Sequence, residues 1–179
     1  MNFSAATEQD YHARSLMLDV AYACIVKRGL GARAAGDKYG EETARRALTV
    51  LLEATLESLN THVDDAIVSC NLTTKPRTPT VADHRATREA HLAALESRFA
   101  FKRSNLPGWD SVKKTNEQAN AVKHRLGITW RPGTTTPLAI EDVVDLEEKE
   151  LLLRMDEVHK WVLALGGASG FRERSSNDR

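Results

Sequence analysis

The segment from Asp110 to Gly127 is the one stretch of this 179-residue chain whose residue types suggest chemistry beyond packing. Read as a helix turning about 100° per residue, it sets Val112, Ala119, Val122 and Leu126 on one apolar side. Asn116, Asn120, Lys123 and His124 gather on a second stripe about a quarter-turn away, where the edge of a groove between helices would run. A histidine there can exchange a proton near neutral pH. The two amides and the cations, with Lys113 and Arg125 close in sequence, can hold an anion. Asp110 is read as the N-cap of this helix and Gly127 as the glycine just past its end.

The elements that must position this stripe are helical. The five prolines cluster at positions 76, 79, 107, 132 and 137, so long stretches run without a helix breaker. With a 41% hydrophobic and 28% charged composition, this predicts an all-α, up-and-down bundle of about five helices. The first helix is expected from Thr7 to Lys27, ending before Gly29 and Gly31, with Tyr11, Leu16, Val20 and Cys24 on a broad buried face. A long helix from Glu41 to Cys70 forms the spine, with a break possible in principle at Asn60. A third spans Thr80 to Lys102, capped by Thr80 and Asp83. The turn Ser104 to Trp109, with Pro107-Gly108, makes the third helix and the Asp110 helix antiparallel neighbours. Ile128 to Ile140 has the pattern of a short β-hairpin. The last helix is expected from Glu141 to Leu165, stopping at Gly166-Gly167. Because Leu151, Leu152 and Leu153 cannot all face one core stripe, this helix or the first offers a dimer seam. Residues 1–167 read as one domain and 168–179 as a disordered polar tail.

Charge excludes a globally basic nucleic-acid binder, since 25 basic and 25 acidic residues cancel. Locally the balance differs. From 85 to 131 ten basic residues stand against four acidic ones, a net +6, while 141–157 is acidic. These are either two complementary helix faces or an anion-binding surface. Cys24 and Cys70 lack any paired spacing and read as small buried hydrophobes in a reducing compartment. The N-terminus has no signal-peptide pattern and no apolar run is long enough to span a bilayer, so a cytoplasmic protein without a membrane partner is expected. His84 with His91, or His62 with Asp64 and Asp65, do not reproduce the two-ligand face of a His-Glu-x-x-His helix, so neither metal nor cofactor is expected. Phosphate-binding loops, nucleophile elbows and dinucleotide turns are missing from the sequence.

Asn120-Ala-Val-Lys-His124, on the fourth helix of a small all-α chain, resembles the HEPN superfamily of helical-bundle proteins. The resemblance implies a frequent homodimer and metal-free RNA cleavage of the kind found in toxin-antitoxin and phage-defence systems. Its active motif is an arginine followed by four to six residues and a histidine. The histidine would be His124, but Glu117, Gln118 and Ala119 occupy the arginine's places. This sequence matches instead the Asn-x-x-Lys-His form at Asn120, Lys123 and His124. By that resemblance His124 is the acid/base or 2′-hydroxyl-orienting group, Asn120 orients substrate or histidine, and Lys123 and Arg125 meet phosphate, with Asn116 and Lys113 beside them. The other reading of His124 is a solvated histidine whose charge suits the last turn of a helix. Arg85 and His91 offer a second pair at the same spacing. The missing arginine leaves a non-catalytic interaction module, bound to a protein or nucleic acid, as the competing function.

Overall fold

The computed structural model describes residues 3–75, 77–125 and 147–170, with side chains for 7–75, 77–122 and 147–170. Six α-helices lie in that part, α1 (Phe3–Ala34), α2 (Lys38–Thr73), α3 (Val81–His84), α4 (Arg88–Phe99), α5 (Trp109–Arg125) and α6 (Glu148–Ala168). No strand occurs among the described residues, and the chain is an all-α bundle. The segment 128–140, expected as a hairpin, lies outside them.

The spine is α2, which packs against every other α-helix. Leu52, Leu56, Leu59, Val63, Ile67 and Cys70 recur along it at spacings of three and four, so one stripe of α2 meets Leu92 and Leu95 of α4, Val112 and Ala119 of α5, and Leu151 to Leu165 of α6. No break interrupts it at Asn60.

The first helix does not stop at Gly29 or Gly31. Gly29 faces α2, where an added Cβ would lie 3.2 Å from that of Ala44, so its missing side chain lets the two helices approach. The stop comes at Gly36, whose φ of 70° allows Asp37 N–H to bond Ala32 O at 2.9 Å and Gly36 N–H to bond Arg33 O at 3.1 Å. Asp37 then caps α2 by accepting from Gly40 N–H at 2.9 Å.

The expected burial of the first helix's apolar face is corrected. Leu16, Met17, Val20 and Leu30 are more than half exposed and Cys24 is exposed, whereas Leu18 is buried. The reason is which side of α1 meets its neighbours. At about 100° per residue Thr7, Tyr11, Arg14 and Leu18 share the side that packs on α2 and α6, and Leu16, Met17 and Val20 fall on the opposite side.

The third predicted helix is two. Thr80 and Asp83 form the expected capping box, but it opens only the single turn α3, and Thr87 caps α4 afresh by accepting from Ala90 N–H at 3.3 Å. The fourth begins at Trp109, with Asp110 in its first turn rather than at the cap. Behind it Gly108 adopts φ 84°, and a Cβ there would sit 2.1 Å from Glu157 O of α6. Trp109 packs on Trp161, ring centroids 5.7 Å apart. Of the last predicted helix, the described part runs from Glu148 through Gly166-Gly167 to Ala168, and its expected start at Glu141 lies outside the described residues. Of its leucine run, Leu151 is buried, Leu152 half-buried and Leu153 exposed.

Candidate functional site

Helices α4 and α5 were expected to be neighbours, yet each packs on α2 and they leave a cleft between them. Asn60, Asp64 and Val68 of α2, spaced four apart, form its floor. The start of α4 supplies Thr87, Arg88 and Glu89, and α5 supplies Asn116 and Asn120. The volume is about 500 Å³.

Arg88 is held in place. Its Nε donates to Asp64, and its Nη2 donates to Asn60 Oδ1 at 2.9 Å and to Asn60 O at 3.2 Å. On the opposite wall Asn120 Nδ2 donates to Asn116 Oδ1 at 3.3 Å, one turn apart on α5. Glu89 turns away to Arg103, whose Nη1 donates to it at 2.6 Å. The described walls therefore carry three carboxamides and one guanidinium already matched by a carboxylate. A carboxamide offers a donor and an acceptor side by side, which pairs with the edge of a nucleobase as readily as with another amide. Such walls are better suited to neutral hydrogen-bonding groups than to a bare anion.

Asn116 and Asn120, singled out in the sequence, thus share one cleft. Lys113 does not join them, because it is exposed and pairs with Asp110 at 3.0 Å. The side chains of Lys123, His124 and Arg125 lie outside the described residues. In register, position 124 follows 116 and 120 at four-residue intervals along α5. Asn60, Asp64 and Arg88 were not found from the sequence, since their relevance depends on three helices meeting.

The pair Arg85 and His91 makes no site. Arg85 is exposed in the turn after α3, and His91 is 2% exposed in the core side of α4. Burial, helped by the nearby Lys75 charge, pulls the His91 imidazole below its ordinary pKa. Cys70 is buried as expected, and burial pushes its thiol up to about 12, which leaves it unreactive.

The basic middle and acidic end of the chain do meet in part. Lys114 Nζ of α5 lies 2.6 Å from Glu150 of α6, and the buried Arg154 of α6 donates to Gln118 and Glu150. Among the described residues no group of three or more His, Cys, Asp or Glu is placed to hold a metal ion, and no helix is long and apolar enough to cross a membrane. Comparison with protein-family models, curated proteins and solved structures finds no match for this chain.

Proposed function

We propose that this chain is a HEPN-like, RNA-directed protein that takes single-stranded RNA along the edge of α5. The observation that carries this reading is the convergence of Asn116 and Asn120 with Asn60 and Arg88 in one cleft. An unstacked base in the cleft would meet the carboxamides, and its ribose would pass towards position 124. His124 is then the group that activates or orients the 2′-hydroxyl without a metal, with Asn120 orienting and Lys123 and Arg125 meeting phosphate. A second copy would dock through the apolar strip of α1, since Leu16, Met17 and Val20 are exposed whereas α6 is largely consumed by the core. The compartment proposed is the cytoplasm.

The test is incubation with total tRNA and mRNA in EDTA, comparing wild type with His124→Ala and Asn120→Ala. Cleavage by wild type alone, leaving 2′,3′-cyclic phosphate ends, is the expected result. Equal activity in a folded His124→Ala protein would remove the catalytic reading.

One observation favours a second reading. The clasp of Arg88 by Asp64 and Asn60 occupies the guanidinium that phosphate chemistry would need. On that reading the chain is a non-catalytic interaction module of antitoxin-like or phage-encoded type, which binds its partner without cutting it. RNA retention without cleavage by wild type, or retention of a protein partner, would establish it.

A further inference from the structure

We propose that the base of α1 is a proton-operated latch, in which protonation of His62 and His159 releases Thr7–Leu18 from the groove between α2 and α6. This site is separate from the α2, α4 and α5 cleft and does not depend on the function proposed for it. Between the buried Thr7 and Leu18, the polar links that seat α1 run through one titratable cluster. Asp10 Oδ2 lies 2.6 Å from His62 Nδ1, Arg14 Nη1 donates to Ser58 O at 2.8 Å, and Tyr11 donates to Asp156. The Tyr11 ring stacks on His159 at 4.1 Å between centroids, and the His159 ring lies 6.3 Å from that of His62.

Each histidine has one buried ring nitrogen without a partner among the described residues, Nε2 in His62 and Nδ1 in His159. With Asp10 accepting from Nδ1–H of His62, Nε2 is the bare nitrogen of a neutral imidazole. A proton there creates a buried donor with no acceptor, and protonating both rings sets two cations side by side next to Arg14. The groups facing His62 are Asp10 and Arg14 of α1, Asp65 of its own helix and His159 of α6. Those facing His159 are Glu8, Tyr11 and His12 of α1, His62 of α2 and Asp156 of α6. The carboxylates favour the charged rings, but burial outweighs them and pulls both imidazoles below 6.5. Released from the groove, each ring regains a pKa near 6.5. Docking is therefore strongest above about pH 6.5 and weakens as pH falls from there towards the docked pKa values, because the released form binds more protons.

The test is native-state hydrogen exchange from pH 7.5 to 5.5, corrected for the intrinsic pH dependence of exchange. From pH 6.5 to 5.5 the opening constant of the Tyr11–Leu18 amides should rise, by at most about fivefold per histidine and about thirtyfold for both, the limit set by docked rings that stay neutral throughout. Amides of Val112–Ala119 in α5 should not follow. In the His62→Gln/His159→Gln protein the rise should vanish. A flat profile for α1, a parallel rise in α5, or an unchanged rise in the double variant would overturn the latch. If the double variant does not fold, ring-proton titration of wild type decides. Midpoints below 6.5 for both histidines are required, and midpoints at or above it refute the proposal.

Discussion

Asn71 of α2 donates its side-chain N–H to the backbone carbonyl of His91 on α4 at 2.9 Å, and both residues are buried. This bond joins positions twenty residues apart, across the α3 turn, and sets how α4 lies on α2. The N-terminus of α4 carries Thr87 and Arg88, so the same bond sets one wall of the cleft.

Asn71→Ala should therefore lower stability by about 1–3 kcal/mol, because it deletes a buried hydrogen bond and leaves a small void. Urea unfolding should show a lower midpoint with an unchanged slope, and RNA binding at the cleft should weaken beyond what the fraction unfolded explains.

Asp64→Asn tests the clasp on Arg88. Asp64 is 44% exposed at its side chain, so losing the ion pair should cost under about 1 kcal/mol. Freed of its carboxylate, Arg88 should bind RNA more tightly, and the slope of log affinity against log salt should steepen by about one unit. Unchanged affinity and slope would separate the cleft from any phosphate contact.

Gly108→Ala should destabilise strongly. The left-handed backbone alone costs an alanine about 1–2 kcal/mol. The added Cβ would also press on Glu157 O, placed 2.1 Å away, so α5 and α6 must part. Thermal unfolding of this variant beside Gly31→Ala, where a Cβ would meet nothing within 4 Å, isolates the effect.

Leu56→Ala and Met17→Lys should differ sharply. Leu56 is 0% exposed in the centre of α2, and its truncation should cost about 2–5 kcal/mol. Met17 is 72% exposed, so its replacement should stay within about 0.5 kcal/mol in the monomer. Sedimentation of the Met17→Lys protein checks the proposed α1 dimer seam, for a lysine there should dissociate it.

The long-range bonds at the base of α1 are the sharpest case of what local pattern does not contain. Asp10 and His62 are 52 residues apart, and Tyr11 and Asp156 are 145 apart. Neither pair has a periodicity to betray it. By contrast, the long α2 spine and the Thr80 and Asp83 capping box were legible, because helical spacing and capping are properties of a few consecutive residues. Gly29 was misread as a stop because a glycine that ends a helix and one that admits a neighbouring helix look alike until the neighbour is known.

The sequence by itself determined the helical class, the spine and the placing of Asn116 and Asn120 on one edge of α5. Those follow from side-chain period and backbone propensity within single segments. Only the tertiary structure decided which apolar faces are covered, since that depends on where the neighbouring helices lie, and Leu16, Met17 and Val20 sit opposite the side of α1 that packs on α2. It alone brought Asn60, Asp64 and Arg88 to the asparagines, and stacked Tyr11 on His159 beside His62. Sites of this kind are made where three helices converge, and convergence is a property of packing that no single segment carries.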